Sequence, residues 1–212
     1  MVDLYEIKKE IVNFLRNQDI ISTTNRGVTT VAPTGTFTNA ATYTLATSPT
    51  FVKNIRSVVV GGVTLDYKTD YTVNFDTGVI TFTVAQTGAY TVTYDYGSTD
   101  SIFPDFPQAN LKLSAFPRVA VDIVGGAISD VDIGANATHH VYDLTIVCYS
   151  TDTEELEDMI SAVITALLAN KKTFYYMKFV TLTSLGPILN SSNKGDKVLQ
   201  RNVDFRSVFN FE

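Results

Sequence analysis

The sequence predicts an α+β fold in which an antiparallel sheet carries helices on one face, together with an inserted all-β meander or sandwich domain. Two stretches, near the start of the chain and at residues 151–171, repeat apolar residues at three- and four-residue steps, which indicates amphipathic helices. Between them, eighteen of the seventy residues 28–97 are threonine, and apolar residues alternate there. That alternation is typical of strands with one solvated face.

The predicted domains are an α+β domain made of residues 1–26 and 98–212 and an inserted β domain at residues 27–97. The opening helix is too short to be stable alone, so we expect it to join the C-terminal part of the chain. Prolines at 104, 107 and 117 disfavour helix in the connection that returns from the β domain.

The opening helix is recognised from one apolar stripe, formed by Leu4, Ile7, Ile11, Phe14 and Leu15. Asp3 is a suitable N-cap, and the periodicity fades by Asn17. Such a stripe faces either a partner or the protein's own sheet, and the second use is the commoner one.

The β domain is predicted to contain five to seven strands. Alternation is clearest at residues 63–67, 71–75, 80–84 and 90–96. Glycines mark the turns between them: Gly61-Gly62 suits a two-residue hairpin, and Gly78 and Gly88 each close a short turn. Residues 29–50 are less regular and are expected to add one or two edge strands.

The C-terminal part predicts four strands around one helix, at residues 117–124, 141–149, 174–183 and 198–211. Thr151 and Glu154 fit a capping box at the start of the helix, whose first turns are acidic. Residues 185–189 are expected to interrupt the third strand, and residues 190–196 to form a polar loop. The order of elements implies an antiparallel sheet with helices on one face.

Residues that could carry chemistry are few. The neighbours His139 and His140 would point to opposite faces of a strand and so do not suit one metal ion. Asp130 and Asp132 form an Asp-Xaa-Asp pair, but the glycine and glutamate of a calcium-binding EF-hand loop are absent. Cys148, the single cysteine, lies among apolar neighbours and is expected in the core. We expect no enzyme activity, no cofactor and no metal.

Composition narrows the classes of partner. The net charge is −6, and residues 98–212 account for −5 of it, so a basic nucleic-acid footprint is not expected. No apolar run reaches the roughly 20 residues of a membrane span, and no signal peptide is evident. The predicted loop at residues 125–138 is long for a hairpin and carries apolar residues, which is typical of functional or mobile loops.

Five segments together resemble tail terminator proteins, also called tail completion or neck proteins, of tailed bacteriophages. They are the leading helix, the stretch Phe116-Pro117-Arg118-Val119-Ala120-Val121, the strand at 140–149, the capped helix at 151–171 and the final strand with Asp204-Phe205-Arg206-Ser207-Val208-Phe209. The resemblance covers residues 1–26 and about 98–212 and depends on element order rather than on a signature motif.

The resemblance implies a virion structural protein, assembled in the host cytoplasm, that forms a ring of identical copies, usually six. The ring would cap the head-proximal end of the tail tube, contacting the tube protein on one side and a head-side neck or stopper protein on the other. DNA would pass through the lumen without specific binding, which the acidic C-terminal part suits because like charges repel. The β domain would be a peripheral addition.

Contacts between copies are expected at strand edges and at the long loop. The predicted interface residues are Asp130, Val131, Asp132, Ile133, Asn136, Arg118 and Arg206. Two alternatives are compatible with the sequence: another head–tail connector, stopper or baseplate component, or a glycan-binding module carried by the threonine- and tyrosine-rich β domain.

Overall fold

The computed structural model describes residues 4–45, 51–104, 116–130, 138–171, 174–175, 178–193 and 196–211. The chain divides into two compact units: an α+β unit, Met1–Ile21 with Ser101–Glu212, and a β unit, Ser22–Asp100. The fold is mixed α+β and consists mostly of sheet. Among the described helices, none combines the length and apolar character that crossing a membrane requires.

The elements follow one another along the chain as α1 (Leu4–Asn17), α2 (Thr23–Arg26), β1 (Thr29–Val31), β2 (Thr34–Thr44), β3 (Phe51–Val60), β4 (Val63–Thr64), β5 (Tyr71–Asn74), β6 (Val79–Gly97), β7 (Ile102–Phe103), β8 (Arg118–Asp130), β9 (Thr138–Ser150), α3 (Thr153–Ala169), β10 (Lys178–Leu185), β11 (Leu189–Asn193) and β12 (Asp196–Phe211).

The β unit extends further in both directions than the predicted domain at residues 27–97. It begins at Ser22, which caps the short helix α2, and it ends at Asp100. The reason is a polar contact: the buried guanidinium of Arg26 binds the carboxylates of Asp95 and Asp100. This contact ties the segment that leads into the β sheet to the segment that leaves it.

The sheet of the β unit is built around the long strand β6. Strands β1 and β2 pair along one side of β6, β3 and β5 pair along the other, and β4 extends from β3. The predicted hairpin at Gly61-Gly62 is confirmed, as is the turn closed by Gly78; all three glycines have positive φ. The predicted turn at residues 86–88 is wrong, because β6 continues through these residues. Its pairing with β2 is irregular on both sides of Gln86, where the two strands contribute unequal numbers of residues.

The sheet of the α+β unit has the order β10-β12-β9-β8-β7, with β11 also paired to β12. Its pairings are antiparallel, as predicted, except that β7 runs parallel to β8. A parallel neighbour is possible there because residues 104–117 separate the two strands, which is long enough for a crossover connection.

Both long helices of the α+β unit pack into one core. The side chains that meet there are Ile7, Ile11 and Leu15 of α1, Leu156, Ile160 and Val163 of α3, and Val119, Val121, Leu144, Ile146, Val203 and Phe205 of the sheet. The strand residues alternate along β8, β9 and β12, so they lie on one face. The prediction that α1 packs on the protein's own sheet is therefore confirmed. Leu4 is 44% exposed, and the predicted N-cap Asp3 lies outside the described residues.

Three predicted boundaries in the α+β unit are corrected. The strand predicted to end at residue 124 continues as β8 to Asp130, so residues 125–130 of the predicted loop pair with β9. Residues 190–193, predicted as loop, belong to β11, which pairs with β12. The N-cap of α3 is Asp152 rather than Thr151: its carboxylate accepts a hydrogen bond from the backbone N–H of Glu155 at 3.0 Å.

Candidate assembly surface

The predicted interface loop is only partly described. Asp130 ends β8 opposite Thr138 of β9. Val131, Asp132, Ile133 and Asn136 lie outside the described residues. The loop prediction therefore stays a prediction for these four residues, whereas the stretch before them is regular strand.

Arg118, another predicted interface residue, begins β8 opposite Tyr149. Its guanidinium carbon lies 4.6 Å from the centre of the Phe103 ring, which gives a cation–π contact. Among the described residues its buried Nε has no hydrogen-bond partner. Burial lowers the pKa of Arg118 from its usual value, but arginine remains charged. Within the described part of the chain, this side chain is held by stacking on Phe103.

Arg206, the last predicted interface residue, lies on β12 opposite Asp143 of β9. Its Nε donates to the Asp143 carboxylate at 2.9 Å, and this hydrogen bond raises the pKa of Arg206. Arg118 and Arg206 contact β9 six residues apart, a separation of about 20 Å along a strand. The structure therefore does not bring the two arginines into one site.

The residues examined for chemistry form no reactive group in the described part of the chain. Nδ1 of His140 lies 3.1 Å from the Tyr142 hydroxyl on the same strand. No cluster of three or more His, Cys, Asp or Glu suited to a metal ion occurs among the described residues. Cys148 is fully buried, which confirms its predicted place in the core and raises the pKa of its thiol to about 12.

The most unusual surface of the α+β unit is the edge formed by β10 and β11. Both strands pair with β12 on the side opposite β9, one after the other, so they form a single interrupted edge over residues 178–193. The interruption is a bulge at residues 186–188 that contains Pro187, a residue that strand edges tolerate. Among the described residues, no strand pairs with the outer side of this edge.

This β10–β11 edge carries a cluster of exposed apolar residues between Leu182 and Leu189. Its large exposed hydrophobic side chains, with their exposed fractions, are Leu182 (38%), Leu185 (43%), Ile188 (39%) and Leu189 (48%). The first two end cross-strand rows that begin in the core, namely Val121–Ile146–Val203–Leu185 and Ile123–Leu144–Phe205–Leu182. The apolar rows of the core thus continue to β10, which is the last strand of this sheet among the described residues.

The bulge in the β10–β11 edge is fixed from behind. The Arg201 guanidinium donates from Nε to the Gly186 carbonyl at 2.8 Å and from one terminal nitrogen to both carboxylate oxygens of Glu157, at 2.6 and 2.7 Å. The Gly186 N–H donates to the Asn202 carbonyl at 2.9 Å. These contacts connect the bulge to α3 and β12, so the apolar edge has a defined shape.

The opposite end of the same sheet is also open. β7 pairs only with Val119 and Ala120 of β8, and in the described part of the chain the rest of β8 pairs on its β9 side alone. Val124 of β8 is 59% exposed. The helix α1, which contacts β7 and β8, presents Leu4 and Tyr5 with 44% and 48% of their surfaces exposed. Each end of the sheet therefore carries exposed apolar residues.

The sequence does not predict the apolar edge. It predicts a strand interruption at residues 185–189 and a polar loop at residues 190–196 instead. One signal was present: two residues, the second a glycine, separate Asn193 from Asp196, and this spacing is typical of a hairpin. Recognising that hairpin would have extended the sheet by β11. It would not have shown which side of the new strand is open, because that depends on the whole strand order.

Comparison of the sequence with models of known protein families and with curated proteins finds no match.

Proposed function

We propose that the protein is a virion structural protein of a tailed bacteriophage, a tail terminator whose copies form a ring at the head-proximal end of the tail tube. The observation that carries the proposal is the apolar β10–β11 edge of the α+β unit. An exposed, apolar strand edge is an aggregation hazard unless another chain covers it. Assembly into a closed ring covers such an edge on every copy.

The identity of the ring is supported by the order of elements in the α+β unit. A leading helix, two long antiparallel strands, a capped helix and further strands that return to the same sheet occur in the sequence order that resembles tail terminators. The ring would contain six copies, with the tail tube protein on one side and a head-side neck protein on the other. The β unit, with its own core, would be a peripheral domain.

The lumen of the ring is expected to be non-adhesive for DNA. On the sheet face away from the core, Asp143 and Asp204 each lie opposite a residue of the neighbouring strand that binds them. Arg206 neutralises only the first of these carboxylates, whereas Thr145 donates a neutral hydrogen bond to the second. Residues 98–212 together carry a net charge of −5, and an acidic balance at the lumen would repel the phosphate backbone.

The proposal is tested by light scattering on size-fractionated protein and by electron microscopy with tail tubes. We expect a ring of discrete mass and density at one end of each tube. Attachment to heads but not tubes would indicate a stopper, and attachment at the distal end of the tube would indicate a baseplate component. A monomer at every concentration, with or without tubes, would overturn the proposal.

A further inference from the structure

We infer that Arg201 is a positioning residue for the contact between copies, because it holds the bulge that joins β10 to β11. This role rests on the proposed function, in which the β10–β11 edge meets another copy. Arg201 lies one strand inward, on β12, where it is opposite Cys148 of β9, and its side chain is 19% exposed. It would therefore act on the contact through the shape of the edge.

The bulge interrupts the hydrogen-bond ladder of the sheet. Between the pairs Leu185–Val203 and Leu189–Gln200, the edge has three residues whereas β12 has two. Pro187, the middle one of the three, has no N–H to donate to β12. Regular backbone pairing therefore does not continue from β10 into β11, and the position of β11 relative to β10 depends on other contacts.

Arg201 supplies such a contact at the point where β10 ends. Its Nε donates to the Gly186 carbonyl at 2.8 Å, so a side chain takes the place of a backbone donor there. The Gly186 N–H keeps a backbone partner, the Asn202 carbonyl, at 2.9 Å. Both backbone polar groups of Gly186 are thus bound to β12, one of them through the Arg201 side chain.

The other end of the guanidinium is held by α3. One terminal nitrogen of Arg201 lies 2.6 and 2.7 Å from the two carboxylate oxygens of Glu157, and Leu156 and Ile160 anchor this part of α3 in the core. The planar guanidinium fixes the directions of its donors, which a lysine ammonium does not. Glu157 is 44% exposed, so the ion pair contributes little to global stability. Arg201 should therefore matter mainly for the local shape of the edge.

The exposed apolar residues of the edge lie on both sides of this bulge. Leu182 and Leu185 precede it, Ile188 is its last residue, and Leu189 begins β11. Without Arg201, the two halves of this apolar cluster would lose their fixed relative position. A second copy would then have to order the edge as it binds, and that ordering lowers affinity.

Substitutions at Arg201 in the full chain provide the test. Arg201→Met removes both contacts, and Arg201→Lys keeps a cation for Glu157 but loses the fixed donor to Gly186. Gly186→Ala is the matched control: it keeps both backbone groups, and an added Cβ would meet only Asn202, at the ordinary contact distance of 3.5 Å. Hydrogen exchange on dilute, unassociated protein measures local opening, sedimentation velocity measures association, and thermal unfolding measures global stability.

We expect a local effect on exchange and a matching effect on assembly. In both Arg201 variants, backbone hydrogens of residues 186–193 should exchange about tenfold faster than in the wild type, as the loss of one charge-assisted hydrogen bond implies. The association constant should also fall about tenfold, whereas the unfolding midpoint should change by no more than about 4 °C. Residues 141–150 of β9 should exchange as in the wild type, and Gly186→Ala should match the wild type in every measurement.

Three results would overturn this role for Arg201. Unchanged exchange at residues 186–193 in Arg201→Met would show that other contacts hold the bulge. Faster exchange throughout the sheet with a large fall in the midpoint would show an ordinary contribution to stability. Unchanged association despite local opening would show that the contact does not depend on the shape of this edge.

Failure of the proposed function gives a different result. If the wild type forms rings and the Arg201 variants form them equally well, the positioning role is overturned and the terminator ring stands. Wild-type protein that never assembles, with or without tail tubes, would overturn both.

Discussion

At the scale of single residues, the clearest organising contact lies in the β unit around Arg26. This fully buried side chain donates from Nε to Asp100 at 3.0 Å and from a terminal nitrogen to Asp95 at 3.0 Å. Asp95 also accepts hydrogen bonds from Arg56 at 2.7 Å and Thr30 at 2.6 Å. Two arginines thus neutralise two carboxylates at the base of the unit. Buried charges are tolerated when they are paired in this way.

The stability of the β unit should depend on Arg26. We expect Arg26→Met to lower the free energy of unfolding by about 3–5 kcal/mol, because Asp95 and Asp100 would remain buried without their partner. Urea denaturation followed by tyrosine circular dichroism measures the change. Arg206→Met is the matched control: it breaks an exposed pair, so its unfolding midpoint should equal that of the wild type. Equal loss in both variants would contradict a special role for the buried cluster.

The same cluster predicts a dependence on pH. Burial by itself would raise the pKa of Asp95, but hydrogen bonds from Arg56 and Thr30 and the charge of Arg26 outweigh it and lower that pKa. The unfolded chain, whose aspartates titrate near pH 3.9 (about the usual value), then binds protons more readily than the folded chain. The stabilisation from Asp95 should be complete above that pH and be lost as the pH falls below it.

The pH prediction is checked by measuring the free energy of unfolding from neutral to acidic pH for the wild type and for Asp95→Asn. The variant should be less stable at neutral pH, and the difference between the two curves should shrink as the solution becomes acidic. Curves that stay parallel over the whole range would show that Asp95 titrates alike in the folded and unfolded chains.

At the scale of elements, the start of α3 offers a direct comparison between two neighbouring residues. Asp152 accepts the hydrogen bond from Glu155 N–H and is the observed cap, whereas the sequence pattern predicted Thr151. Asp152→Ala should therefore lower the unfolding free energy by about 0.5–2 kcal/mol. Thr151→Ala should have little effect. Thermal unfolding of both variants measures the loss of stability. A larger loss in Thr151→Ala than in Asp152→Ala would show that Thr151 is the cap.

Local patterns determined which elements were predictable. Alternation identified the central strand β6 at both ends, and three-and-four spacing identified α1 and α3, because each pattern reflects one buried face. The glycine at position 88 suggests a turn, yet it lies within β6 opposite Phe37, beside a point where β2 has one extra residue, and its φ is positive. A glycine with positive φ occurs both in turns and in irregular strands. Position 88 remains in a strand because β2 pairs with β6 on both sides of it.

The candidate surface was less predictable than the fold. Leu182 and Leu185 look like core residues in the sequence, since they alternate with polar neighbours as Val203 and Phe205 do. Their exposure follows from β10 being the last strand, which is a property of the tertiary strand order. The sequence predicts a loop at residues 125–138 because the apolar alternation of β8 stops near residue 124. The backbone pairing of β8 with β9 nevertheless continues to Asp130.

At the scale of the whole molecule, the two open edges belong to one unit, and the β unit contributes neither. The α+β unit holds both ends of its sheet, the apolar rows that reach β10 and the helix α1 beside β8. The β unit has a separate core centred on residues such as Phe37, Ile80 and Val92. Under the proposed function, in which the β10–β11 edge is the contact between copies, assembly is expected to depend on the α+β unit.

This division predicts opposite results for charged substitutions in the two units. Leu182 and Leu185 are 38% and 43% exposed, so covering what remains of them contributes roughly 0.6–1.2 kcal/mol each, and Leu182→Lys with Leu185→Lys should lower the association constant between copies by at least about tenfold. Val63→Lys in the β unit replaces a side chain that is 63% exposed and should leave that constant unchanged. Sedimentation velocity over a range of concentrations measures both, with circular dichroism confirming that each variant is folded. Weakened association in Val63→Lys would place part of the assembly surface on the β unit, whereas unchanged association in the double lysine variant would remove the β10 edge from the ring contact.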